Sequence, residues 1–430
     1  MKSATHLIAF ILLLAFLSGC IQRESPQSTS DELSKKLTPE KETPISTSGR
    51  VQIGVLQSLT GDLSSGGLPI VDSIKLAASE INSNGGILGK QIDLAIEDDQ
   101  TLNIAAIDAT ERLIKMNRVP VIIGATGSGP SMSIINITNK NGVLQISSSN
   151  TRIEFTAHDD QDLYFRTCAS DASQAIAVAK LAKQKGFNTA STIVVNNPYG
   201  AGYEDIFIKT FESFGGRLLL SLRYDPTQTI FEEEVKKLSS VHPDFVLLVS
   251  YPETGSLILK TAYQNGLLDD ATWLLSEGLD IDKVADMVGK DANGTFIVAG
   301  LGGIAPYQDI GRPAYQAFRD KFAKEYSREP AIYCSNSYDA MALIALAMEE
   351  AKSAKGTAIR DHLRSVASPP GLEVSDLGEA QDLIRKGKEI NYQGASGDIT
   401  FDEHGDVNGT YCTWSFDDNA SILLGDIIIY

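Results

Sequence analysis

From residue 51 onward the chain alternates short β-branched runs with amphipathic stretches of helical period, and no other feature limits its fold so tightly. Val51 to Leu56 is an apolar run suited to a buried strand. Ile70, Ile74, Ala77 and Ile81 then share one helical face, which ends at Asn84-Gly85-Gly86. Ile92, Leu94 and Ile96 alternate as a strand should, and Ile104, Ile107 and Ile114 mark a second helix before the strand Val119 to Ile123. Thr192 to Val195, Phe245 to Val249 and Trp273 to Leu275 repeat the rhythm, each followed by a loop marked by glycine or proline. This alternation predicts parallel α/β layers. About 380 residues follow residue 49, too many for one hydrophobic core and comfortable for two. Two doubly wound lobes are therefore expected, and no repeat at solenoid periods competes with them.

The amino-terminal segment belongs to a different argument. Lys2 precedes an unbroken apolar run from Leu7 to Leu17, then Ser18, Gly19 and Cys20. Such a run is too short to cross about 30 Å of hydrocarbon, which takes roughly 20 residues. It reads as an export signal over residues 1–19. The Leu17-Ser18-Gly19-Cys20 string resembles the lipobox of bacterial and archaeal lipoproteins, in which the cysteine becomes the acylated first residue. The alternative is an ordinary secretory signal with a chance cysteine. Residues 20–49 are rich in Ser, Thr, Pro, Glu and Lys and nearly free of large apolar side chains, so they read as a flexible tether.

Composition excludes several function classes. The formal charge is -18, and loss of the leader takes only Lys2 from 37 basic residues, against 55 acidic ones. So acidic a chain is a poor match for nucleic acid or anionic lipid. Cys168, Cys334 and Cys412 remain after Cys20, and no two lie at metal-ligand spacing. Outside the membrane one pair could oxidise, but the spacing does not choose which. His158, His242, His362 and His404 are scattered, so neither a metal nor a cofactor is expected. Gly85 to Lys90 falls one residue short of a phosphate loop, and Gln91 replaces the required Ser or Thr. Gly124, Gly127 and Gly129 lack the order of a dinucleotide fingerprint. Asp98 and Asp99 directly follow an alternating strand and read as its solvated end rather than as paired catalytic acids. An enzyme is disfavoured.

In open parallel sheets, ligands bind beyond the carboxyl ends of the strands. Gly124 to Ser131 joins a strand to a helix starting near Pro130, and its free backbone N–H groups and helix dipole suit a carboxylate. Ser128 adds a hydroxyl there, or caps the helix. After the next strand comes the hydroxyl-rich run Ser147 to Thr151, which includes Ser149. Tyr199 and Tyr251 each follow a strand end and offer an aromatic wall with a phenolic hydrogen bond. Glu277 follows the apolar strand Trp273 to Leu275 and is the natural partner of an ammonium. Together these residues read as a clamp for an α-amino acid.

From about 50 to 430 the sequence resembles the type I periplasmic binding proteins of branched-chain amino acid ABC transporters. The resemblance is carried by Ile53-Gly54 with Leu59-Thr60-Gly61, Glu80-Ile81-Asn82 with Gly85-Gly86-Ile87 and Gly89, Asp98-Asp99, Ile123-Gly124 and Tyr164-Phe165-Arg166. It continues through Tyr199-Gly200, Phe214-Gly215-Gly216, Tyr338-Asp339-Ala340 and Gly394-Ala395-Ser396-Gly397 with Phe401-Asp402. It implies two doubly wound parallel-sheet lobes joined by a hinge of three crossings near residues 169, 303 and 391. Lobe I would comprise 50–169 and 304–391, and lobe II 170–303 and 392–430. Ser128, Ser149 and Thr151 look like the family's first-lobe contacts to carboxylate and ammonium. Tyr199, Tyr251 and Glu277 look like the second-lobe contacts, with Glu277 on the ammonium.

The resemblance further implies a monomeric, lipid-anchored extracytoplasmic receptor that hands an amino acid to an ABC permease with its ATPase subunits. The same fold tuned to amides, urea or another small polar solute, or serving as a sensor, is the alternative. An exported enzyme is the alternative of another class. Two departures bear on specificity: Asn150 stands where relatives often have a small apolar residue, and Ser64-Ser65-Gly66-Gly67 replaces an aromatic that often lines the side-chain pocket.

Overall fold

The computed structural model describes residues 49–428. Cys20, the leader and the tether up to residue 48 lie outside the described residues. Strands Arg50–Gln57 (β1), Gln91–Asp98 (β2), Val121–Gly124 (β3), Leu144–Ser147 (β4) and Tyr164–Arg166 (β5) form one sheet in the order β2-β1-β3-β4-β5. All four of its pairings are parallel. Helices cover both faces of such a sheet, which is why Ile53, Val55, Ile122 and Ile123 are all fully buried rather than alternating with exposed residues.

Helix α1 (Ser64–Ser83) buries Ile70, Ile74, Ala77 and Ile81, the face read from the sequence. Helix α2 (Asn103–Arg112) departs from its reading. Ile104 is 76% exposed, and Ala106, Ala109 and the following Leu113 face the core instead. At 100° per residue Ile104 lies on the opposite side from Ala106, so it faces out, whereas Ile107 and Ile114 pack partly buried against the core beside the alanines. Helix α3 (Ser128–Lys140) follows β3.

The second sheet has β6 (Thr189–Val195), β7 (Arg217–Tyr224), β8 (Phe245–Val249), β9 (Thr272–Leu275) and β10 (Gly302–Pro306). Two short strands, β11 (Leu372–Val374) and β12 (Ile390–Tyr392), pair on their own. The sheet order β14-β13-β10-β9-β8-β6-β7 is completed by β13 (Tyr411–Phe416) and β14 (Ile422–Ile428). Those last two pairings are antiparallel, so the parallel winding ends in a hairpin at one edge. Helices α4 (Asp171–Gln184), α5 (Pro198–Ser213), α6 (Glu232–Ser239) and α7 (Pro252–Gln264) belong to this half.

Two large apolar cores accompany the two sheets. One takes residues from Val51 to Phe165 and again from Phe318 to Val407, and the other from Ala169 to Ala305 and again from Tyr411. Core membership thus changes between Phe165 and Ala169, beyond β10, and between Val407 and Tyr411. The third crossing expected near 391, with 392–430 in lobe II, is corrected by this. Asp339 on the helix Cys334–Ala351 accepts hydrogen bonds from the amides of Ala395 (2.9 Å) and Ser396 (2.7 Å). Asp406 forms a two-pronged ion pair with the fully buried Arg166, at 2.5 and 2.6 Å. These bonds hold 394–407 on the first core. The second crossing likewise follows Pro306 rather than preceding residue 304, because β10 hydrogen-bonds into the second sheet.

Cys168, Cys334 and Cys412 are all buried and unpaired. Among the described residues no helix is long and apolar enough to cross a membrane, and no cluster of three or more His, Cys, Asp or Glu is placed to hold a metal.

Candidate functional site

β3 ends at Gly124 with φ of +136°, and a Cβ there would stand 1.9 Å from the Leu56 carbonyl oxygen. Only glycine fits so close an approach, which starts the loop leading to α3. Asp99 fixes that loop. Its Oδ1 accepts from the Ser58 hydroxyl (2.5 Å) and the Thr101 amide (2.8 Å), and its Oδ2 from the Thr126 amide (3.3 Å). The solvated reading of Asp99 is therefore corrected: it is fully buried, and only Asp98 reaches the surface. Pro130 sits at the third helical residue, and the N-cap position is Gly127, without a side-chain cap. Ser128 does not cap α3. Ser128, the first helical residue, whose N–H has no intrahelical acceptor, lines the cavity together with Gly127.

After β4 the three loop residues take different roles. Ser149 Oγ donates to the Thr126 carbonyl at 2.9 Å, and Thr151 Oγ1 donates to Asp171 Oδ2 at 2.8 Å. Each hydroxyl has a single proton, so both now present lone pairs rather than a donor. Asn150 donates to the carbonyls of Ala125 and Thr126 and accepts from the Tyr164 hydroxyl, so it ties the loop together.

The second lobe supplies the opposing wall. Tyr199 and Tyr251 stack with centroids 5.5 Å apart and planes 9° off parallel. Asn197 caps α5 by accepting from the Gly200 amide and donates to the Tyr251 hydroxyl at 3.0 Å, which locks the pair to the helix start. Glu277 accepts from Gln174 Nε2 at 2.6 Å through one oxygen. Tyr199 approaches it closely, yet its hydroxyl makes no hydrogen bond of ordinary geometry.

One cavity between the two lobes is lined by Ser128, Ser149 and Thr151 from the first and by Tyr199, Tyr251 and Glu277 from the second. All six residues singled out in the sequence thus come together. The rest of the lining is largely apolar: Leu63, Ile70, Ile281 and Ile332, with Gly66 leaving room and Tyr333 closing one side. Behind Thr151 and Glu277 lies an acidic pair that the sequence reading missed. Asp171 is buried on the first turn of α4, one turn from Gln174, so the helix brings it to the same side as the amide that holds Glu277. Its Oδ1 has no hydrogen-bond partner. Burial holds the Asp171 carboxyl well above the usual carboxylate range, and the nearby Glu277 charge adds to this. Burial also pushes Glu277 up to about 7. Two buried acids with no cation between them, together with lone pairs on Ser149 and Thr151, form an acceptor-rich end. The α3 amides and Ser128 form a donor end.

Two α/β lobes, exchanged three times by the chain and closed over a cavity at their strand ends, define the type I solute-binding architecture. The family model described as periplasmic binding protein matches residues 50–406. The chain belongs to this family, in its type I, branched-chain amino acid group. It is 24% identical over 359 residues to the Leu/Ile/Val-binding protein BraC3 of Rhizobium johnstonii, covering 83% of this chain and 89% of that one. It is 25% identical over 371 residues to BasB, the substrate-binding protein of a chemotactic signal transduction system in Halobacterium salinarum, covering 81% and 83%. Among solved structures, the leucine-binding protein LivK of Thermotoga maritima superposes with a TM-score of 0.75 at 24% identity, covering 88% and 98%.

Proposed function

We propose that this protein is the extracytoplasmic receptor of an ABC importer and that its interlobe cavity takes an α-amino acid with an apolar side chain. The observation that carries the reading is the division of the cavity by chemistry. Ser128 at the start of α3 offers donors to a carboxylate, whereas Glu277, the Thr151 hydroxyl committed to Asp171 and the Asp171 carboxyl behind it offer acceptors and acids that an ammonium would ionise. Leu63, Ile70, Ile281 and Ile332 favour an apolar side chain, and Gly66 adds no side chain of its own to that wall. Of the two departures from relatives, only the glycine bears on the cavity. Asn150 is committed to its own loop.

Calorimetry on the purified chain tests this directly. Leucine, isoleucine, valine and phenylalanine are expected to bind, whereas 4-methylpentanoate and benzoate, which lack the ammonium, bind at least a hundredfold more weakly, as follows when buried acceptors stay unpaired. Equal affinity for leucine and 4-methylpentanoate would remove the ammonium clamp. The named role of BasB favours a second reading, in which the same capture feeds a chemotaxis receptor. Deleting the gene separates the two, because loss of uptake marks an importer component and loss of taxis with normal uptake marks a sensor.

Attachment to the membrane rests on the Leu17 to Cys20 string. Cys20→Ala is expected to move the protein from the membrane fraction to the soluble fraction or to stop its maturation. Normal processing and retention in the membrane would refute a lipid anchor.

A further inference from the structure

Two long helices begin opposite each other across the cleft, and neither carries a side-chain cap of its own. The N-cap positions are Leu63 for α1 and Tyr251 for α7, and neither makes a capping hydrogen bond. The missing caps come from the other lobe. Glu253, in the first turn of α7, accepts through Oε1 from the Ser65 amide (3.1 Å), the Ser65 hydroxyl (2.8 Å) and the Ser64 hydroxyl (2.9 Å) of α1. Asp62, just ahead of α1, accepts from the Thr254 amide and the Thr254 hydroxyl of α7, both at 2.8 Å. Thr254 is itself 2.9 Å from the Tyr224 hydroxyl, which anchors this end in the second core.

We infer that Asp62 and Glu253 form a reciprocal latch, in which each lobe supplies the carboxylate that caps the other lobe's helix. The inference rests on the proposed receptor role only in so far as it assumes that the lobes open and close. Carboxylates at helix N-termini satisfy orphan N–H groups and match the positive end of the dipole. Opening would strip both helices of these caps at once. Neither acid lines the cavity, so the stabilisation of the closed form is independent of what is bound. A latch of this kind sets how often the empty receptor is closed. It thereby scales the apparent affinity for any ligand, because affinity falls with the fraction of protein in the competent state. It also accounts for Ser64-Ser65 at the start of α1: the two serines supply the hydroxyls that Glu253 needs.

The test begins on ligand-free protein. Small-angle scattering is expected to give a larger radius of gyration for D62A/E253A than for wild type, with D62N/E253Q in between. Apparent affinity for L-leucine as probe is expected to fall roughly ten- to thirtyfold in D62A/E253A, the scale of two lost caps. Hydrogen exchange on single variants reads each half separately. Asp62→Ala is expected to deprotect the Thr254 amide in the other lobe, and Glu253→Ala the Ser65 amide. Unchanged scattering together with unchanged exchange at these two amides would overturn the latch. Because both readouts need no ligand, they decide the latch even if no amino acid binds and the receptor reading fails.

Discussion

Glu277→Gln is expected to weaken an apolar α-amino acid by about 2 to 5 kcal/mol, the scale measured when a buried charge pair loses one partner. The change keeps the shape and one acceptor oxygen, so Gln174 can still be satisfied by that oxygen. What disappears is the charge that faces the ammonium. Asp171 then remains behind Thr151, and its carboxyl, raised by burial, is a poor substitute because it stands one residue further from the cavity. Asp171→Asn should therefore act more mildly on its own. It keeps one acceptor oxygen but replaces the other with an amide that donates, and a Thr151 hydroxyl facing that amide turns from acceptor to donor at the cavity. Calorimetry with leucine on the two variants and their combination settles the ordering. A Glu277→Gln protein with wild-type affinity would place the ammonium elsewhere, and an Asp171→Asn protein weaker than Glu277→Gln would make Asp171 the primary acceptor.

The contrast between Glu277 and Asp171 also shows what could be read from the sequence. Glu277 was legible because an acid directly after the apolar strand Trp273 to Leu275 contradicts its surroundings and calls for a partner. Asp171 was not, because an acid in the first turn of a helix is ordinary, and only the fold brings it beside a residue more than a hundred positions away. Tyr333 was hidden for a related reason. It stands at a left-handed position before the helix Cys334–Ala351, in a stretch that carries no strand end to draw attention to it. Asp99 was misread because a strand followed by two acids resembles a solvated end. Its burial depends on three donors contributed by separate loops. The two sheets were legible from β-branched runs, since strands covered on both faces are built mostly of apolar residues. The return of 394–407 to the first core was not, because it depends on Asp339 and Asp406 finding partners far along the chain.

Four buried acids should also make the ligand-free protein more stable at pH 5 than at pH 8. Burial pushes Asp62 up to about 7, Glu277 to about 7, Asp280 to about 8 and Asp339 to about 6. In the unfolded chain such groups titrate near 4. A carboxyl with a raised folded pKa binds its proton more tightly when folded, so its contribution is fully present below about 4 and is lost as pH climbs through the folded value. For these four groups the loss therefore begins near pH 4 and is complete at the folded values, between about pH 6 and 8. Carboxyls lowered in the fold, such as Asp98 and Glu154, run the other way, but their contribution fails only below about pH 4 and leaves this window untouched. A shift of one unit corresponds to about 1.4 kcal/mol, so the melting temperature is expected to be clearly lower at pH 8 than at pH 5. An ammonium ligand changes the sign at one of them. It favours ionised Glu277, so binding at pH 6 should release close to one proton, visible as a heat that varies with the ionisation enthalpy of the buffer. At pH 8.5, where Glu277 is already charged, the buffer dependence should vanish, and in Glu277→Gln it should shrink at pH 6. A flat melting profile from pH 5 to 8 would mean that these acids stay solvated in solution. Proton uptake rather than release on binding would mean that the ligand presents no cation to Glu277.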